Sequence, residues 1–184
     1  MAEARSGALP ETGLSRGIDS LLRRLEAGAS WIWVVLLAVI VVNVVARYAF
    51  GQGRIEFEEA QWHLYSVGFL VGIASGVVAD AHVRVDVLRE RFSPRTRAWI
   101  ELYGLVLLLF PFVALVLAYS LPFVVFSFES DEVSMSAGGL PHRFLIKGAL
   151  TAGFALLGLA GVSRLLRVWA FLFGASTPRA REGR

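Results

Sequence analysis

The stretch WIWVVLLAVIVVNVVARYAF, Trp31 to Phe50, carries one charged residue, Arg47, near its far end. At about 1.5 Å per residue it is long enough, as a helix, to cross a hydrocarbon layer of about 30 Å. Three further apolar stretches follow, Trp62 to Ala79, Trp99 to Phe126 and Leu145 to Phe173. Water-soluble domains do not carry four of these, so the chain reads as an all-α integral membrane protein with four transmembrane helices. Composition agrees: 56% of the 184 residues are hydrophobic and the mean hydropathy is +0.62, which leaves little for a soluble domain. One membrane domain is expected over residues 14–174.

Working outward, the connections alternate in charge. Arg5, Arg16, Arg23 and Arg24 precede the first stretch, Arg84, Arg89, Arg91, Arg95 and Arg97 fill the middle connection, and Arg164, Arg167, Arg179, Arg181 and Arg184 are assigned to the tail. The positive-inside rule puts these three segments, and both termini, in the cytoplasm. The other two connections carry only Arg54 and Arg143, with Arg47 and Lys147 at helix ends, and hold the acidic clusters Glu56, Glu58, Glu59 and Glu129, Asp131, Glu132. They are expected outside, where the second cluster is either a solvated loop or a salt-sensitive contact for a soluble protein. The net charge of +3 is therefore read as topology rather than as a nucleic-acid surface. The chain has no cysteine, which removes disulfides, thiolate metal sites and a cysteine nucleophile.

Some 30 polar residues precede the first stretch, and no small-x-small cleavage site follows it, so it is expected to be a retained helix rather than a secretory signal. Just before it, Leu14, Ile18, Leu21, Leu22 and Leu25 recur at helical spacing while Arg16, Asp19, Arg23, Arg24 and Glu26 take other positions. This predicts a short amphipathic helix on the inner membrane surface, the alternative being a merely leucine-rich polar leader. Residues 1–13 and 175–184 are expected to be disordered.

Gly68, Gly72 and Gly76 fall four apart, so they share one face of the second span and leave room for another backbone, either of this chain or of a partner subunit. Gly148, Ala152, Ala155, Gly158 and Ala160 form a second small-residue surface in the fourth span. Pro111 and Pro122 in the third span each remove a backbone donor and should bend or break it.

Arg47 needs an acidic partner at its depth, and Glu58 or Glu59 at the start of the next span is the candidate. Glu59 and His63 lie four apart, but three histidines in the whole chain offer little for a metal or for facing haem ligands. No cofactor is expected. No span carries an ionisable group near its centre and no nucleophile, metal cluster or acid-base set is evident, so an enzyme is not expected. Ser134, Ser136 and the pair Gly138-Gly139 read as turn chemistry. Internal repeats and midplane ligands, the marks of a self-sufficient carrier, are also not evident, which favours an accessory subunit over an autonomous four-helix transporter.

Four strings carry a family resemblance: NVVARYAF (43–50), EEAQWHLY (58–65), AHVRVDVLRERFSPRTRAWIELYG (81–104) and GGLPHRFLIKGAL (138–150). Over residues 15–172 the chain resembles the small membrane subunit of tripartite ATP-independent periplasmic (TRAP) transporters. Gln61-Trp62-His63 with Gly139-Leu140-Pro141 is most similar to the branch labelled for mannitol, chloroaromatic or keto-acid uptake. The resemblance implies a bacterial inner-membrane protein in a sodium-coupled system for organic acids. A periplasmic binding protein would deliver substrate, a large membrane subunit would carry it, and this chain, held in membrane lipid, would brace the large subunit. It also implies structural roles for Glu58 and Glu59, the family's acidic pair, and for His82, Arg84 and Asp86, its His-x-Arg-x-Asp string, with Arg84 and Asp86 either ion-paired or merely solvated. Many relatives have a bulkier second helix than the Gly68-Gly72-Gly76 ridge.

Overall fold

The computed structural model describes residues 9–82 and 91–174. Among the described residues it is all-helical, with four helical stretches long and apolar enough to cross a membrane. Arg84 and Asp86 lie outside the described residues, as do residues 1–8 and 175–184 of the two terminal segments.

Helix α1, Gly13–Ala29, begins where Thr12 and Ser15 form a reciprocal capping box. That satisfies two amide donors that the first turn would otherwise leave open. A single residue, Ser30, separates it from α2, Trp31–Phe50. Helix α2 stops at Gly51, whose φ of 66° is a left-handed conformation that glycine adopts without steric cost. Only Leu36 and Asn43 of α2 are buried, so nearly all of its apolar surface faces outward, as a lipid-embedded helix requires and a soluble one forbids.

Helix α3, Ile55–Val78, follows a short connection and ends at Ala79 and Asp80, the latter at φ 57°. Helix α4, Pro94–Glu129, starts from a Ser93 cap with Pro94 in its first turn, where a missing N–H costs nothing. Neither internal proline breaks it. Instead the six residues Gly104–Leu109 are wound as a π-helix that ends two residues before Pro111, with the Phe110 N–H bonded to the Leu105 carbonyl. The wider turn relieves the clash between the proline ring and the preceding carbonyls. The irregularity sits where the proline was expected to act, in a form the sequence did not announce. Helix α5, Phe144–Phe173, is the axis of the bundle and meets each of α1, α3 and α4.

The small-residue surface expected on α5 is only partly the one used. A Cβ on Gly148 would meet nothing, whereas one on Gly153 would stand 2.7 Å from Leu70 Cβ and one on Gly161 2.8 Å from Leu109 Cδ2. Helices α3 and α4 therefore approach α5 at Gly153 and Gly161, and a Cβ on Gly158 would also crowd Val113 Cγ1, at 3.3 Å. At the end of the bundle where α4 starts and α5 finishes, Ala98, Leu102 and Val168 form a buried cluster joined by Leu9, Trp99, Leu165 and Leu172. Leu9 thus packs on the bundle and Thr12 caps α1, although both fall in the leader expected to be disordered.

Candidate functional site

The charges of α5 divide into two groups, one at each end of the bundle. Lys147 and Arg164 are about 25 Å apart along the helix axis, and among the described residues no ionisable side chain lies between them on α5.

At the first end Arg47 of α2 pairs with Glu58 of α3, which decides between the two acidic candidates. Glu59, one residue on, points about 100° away around the helix and takes a different job. Its Oε2 accepts the Leu140 N–H at 2.6 Å, and its Oε1 accepts the Ser134 hydroxyl. The start of α3 thereby holds the connection between α4 and α5. That grip needs Gly139: a Cβ there would fall 2.4 Å from Ser134 Cβ and 2.9 Å from Glu59 Oε1. Gly138, at φ 79°, makes the turn. The 138–139 pair is thus turn chemistry, as expected, and also a clearance for Glu59. His63 Nδ1 lies 2.6 Å from the Glu59 carbonyl, a contact within its own helix.

Glu132 in the same connection is gripped by Lys147, with Arg143 at 3.8 Å. Lys147 also sits 3.7 Å from the centre of the Phe123 ring, which its positive charge favours. The Lys147 hydrogen bond comes first among the causes that hold the Glu132 carboxyl below its ordinary value, and Arg143 adds to it. A carboxylate with a lowered folded pKa contributes stability above its unfolded pKa, and that stability is lost as pH falls through the folded value. Thermal unfolding of the detergent-purified chain should therefore drop in acid, and Glu132→Gln should shed less stability over the same range. Superimposable pH profiles would detach this grip from the acid response.

The opposite end holds residues that the sequence had placed in a tail or on a polar face. Arg164 is not in a tail: it is 8% exposed within α5 and pairs with Asp80 at 3.1 Å and with Glu101 of α4. Arg167 pairs with Glu11 at 3.1 Å and Asp19 at 3.5 Å. Asp19, set among the polar positions of α1, is 2% exposed and also accepts the Ser163 hydroxyl. Four separate parts of the chain are thus tied to one turn of α5. Arginines can sit inside an apolar helix here because carboxylates from other elements neutralise them. The spacing of Ser163, Arg164 and Arg167 on one side of α5 was a usable signal, but nothing in it named the acids.

Gly68, Gly72 and Gly76 line a groove of about 440 Å³ between the α1–α2 junction and α3. A Cβ on Gly68 would lie 3.0 Å from the Trp33 ring and one on Gly76 2.9 Å from the His82 imidazole. A Cβ on Gly72 would meet nothing within 4 Å. Side chains of this chain therefore cover both ends of the ridge and leave its middle open.

The family model for the DctQ component of tripartite ATP-independent periplasmic transporters matches residues 18–171. No curated protein matches. No solved structure matches.

Proposed function

This chain belongs to the DctQ component family of tripartite ATP-independent periplasmic transporters, and from that premise we propose that it is the stationary brace of the large membrane subunit. The observation that carries this reading is the distribution of charge. Among the described residues α5 carries no ionisable side chain between Lys147 and Arg164, and the best buried charges, Arg164 with Glu101 and Arg167 with Asp19, are paired across helices. Such an arrangement holds helices in register and offers no midplane ligand for a solute or ion. Substrate and sodium would then be carried by the large subunit, with an organic acid delivered by the periplasmic binding protein.

The orientation follows the arginines, with both termini cytoplasmic and the Arg47–Glu58 end outside. Helix α1 suits the inner surface by its three faces. Ser15, Asp19 and Leu22 face the bundle, Leu14, Leu21 and Leu25 are exposed on one flank, and Arg16, Arg23 and Arg24 are exposed on another. Arg47 with Glu58 would lock the outer ends of α2 and α3, and Glu59 the outer connection. The open middle of the Gly68-Gly72-Gly76 ridge is the proposed seat for a helix of the large subunit.

The test is mild-detergent purification of the tagged chain from cells expressing its chromosomal neighbours, with liposome uptake by the chain alone as a companion assay. A much larger multi-span membrane protein should co-purify at near-stoichiometric yield, and the chain alone should move no solute. Gly72→Leu should lower that yield without changing the stability of the isolated chain, because Gly72 faces open space. Unchanged yield would remove the ridge from the interface. A clean homo-oligomer that transports solute would replace the brace with an autonomous transporter.

A further inference from the structure

A second opening, of about 330 Å³, lies between α2 and α3 near their outer ends. Asn43, Arg47 and Tyr48 line it from α2, and Glu58, Gln61 and Trp62 from α3. Two of the residues lining this opening each carry an uncharged polar atom that is closed to solvent and has no hydrogen-bond partner among the described residues: Asn43 Oδ1, an acceptor, and Gln61 Nε2, a donor. Asn43 as a whole is 7% exposed. Along the helix axes they lie about 10 Å from the end of α2 and about 9 Å from the start of α3. Buried polar groups in a membrane helix cost free energy until something bonds them, and here one helix offers the acceptor and its neighbour the donor.

We propose that this cleft is the docking point for an uncharged amide, an Asn or Gln side chain, carried by a membrane helix of the large subunit. The proposal rests on the brace reading above and adds a residue-level contact to it. Once the Asn43 and Gln61 side chains turn toward the opening, an amide offers one N–H to Asn43 and one carbonyl to Gln61, and it serves also if either terminal amide is turned about. A charged partner is disfavoured because the charges lining the opening among the described residues, Arg47 and Glu58, already neutralise each other. A lipid phosphate supplies acceptors alone and would leave Asn43 Oδ1 facing like polarity. A soluble protein would have to reach about two turns below the helix ends. The aromatic rim, with Tyr48 83% and Trp62 70% exposed, suits a membrane-embedded neighbour more than a wet loop.

Two measurements test it on the full chain expressed with its neighbours. Asn43→Leu and Gln61→Leu remove groups that make no bond within the chain, so the isolated subunit should be as stable as before or more so. The yield of complex should fall about tenfold for each, as expected for leaving a buried partner group unbonded. In addition, the chain has no cysteine, so Tyr48→Cys gives a unique attachment point for a benzophenone label at the rim. Photolysis should join it to the large subunit, at a peptide containing Asn or Gln in a membrane helix. Labelling of lipid or the binding protein instead, with full complex yield from both Leu variants, would overturn the docking point while leaving the brace intact. So would Leu variants whose isolated subunits lose stability, since the two amides would then be serving the chain itself. If the unaltered chain recovers no large subunit at all, the brace reading fails first.

Discussion

Arg164→Met is expected to cost about 3 kcal/mol of stability, the lower end of the range for stripping one partner from a buried ion pair. The guanidinium is the hub of its charge cluster: one nitrogen meets Asp80, at the end of α3, and another meets Glu101 of α4. Its removal strands Glu101, whose side chain keeps only 23% of its exposure, so the loss exceeds the value of the contact itself. Asp80 is 40% exposed and recovers water more easily, which keeps the estimate low in the range. Glu101→Gln added to Arg164→Met should restore part of the loss, because the stranded charge is the damaging element. Arg164→Lys should restore little, since an ammonium cannot span two carboxylates on different elements as the planar fork does. Denaturant titration of the purified protein in detergent reads all three variants. A loss below about 1 kcal/mol for Arg164→Met would make this an ordinary solvated pair.

Gly153→Ala carries the other large expected effect, a loss of about 1 to 3 kcal/mol from overpacking. The added methyl would stand 2.7 Å from Leu70 Cβ, an atom fixed to its backbone, so α3 and α5 must move apart at this contact. Gly161→Ala should cost less, because the obstructing atom is Leu109 Cδ2 at the end of a side chain that can rotate. Gly148→Ala, facing open space, is the control and should be neutral. Thermal midpoints of the three variants in one detergent should fall in the order Gly148, Gly161, Gly153, the last lowest. Equal midpoints would show that α3 and α5 are not held by backbone proximity.

The two effects mark where sequence reasoning stopped. Gly148 and Gly153 both lie within α5, and small residues recur on several of its faces; which face meets α3 depends on where α3 stands, and hydropathy does not encode that. Glu58 and Glu59 are adjacent and chemically alike, yet a turn of about 100° sends one to Arg47 and the other to the connection at Leu140. Asp19 belongs to the polar set of α1 by composition, but α5 presents Ser163 and Arg167 to it and makes its burial tolerable. In each case the deciding partner is distant in the chain.

What the sequence by itself determined is of another kind. The first span came out at Trp31–Phe50 without adjustment, and the other three within a few residues except at the start of the second and third, where polar turns precede the apolar run. Partition into a membrane sums side-chain transfer over about 20 residues, so it needs no neighbour to be legible. The family was legible for a similar reason, since its strings are local and the matched model covers residues 18–171. Pro111 marked the irregular turn of α4 because a missing N–H acts on its own helix. Pairing, burial of charge and the unbonded amides of Asn43 and Gln61 were left to the tertiary structure, because each is a relation between helices that a single helix cannot specify.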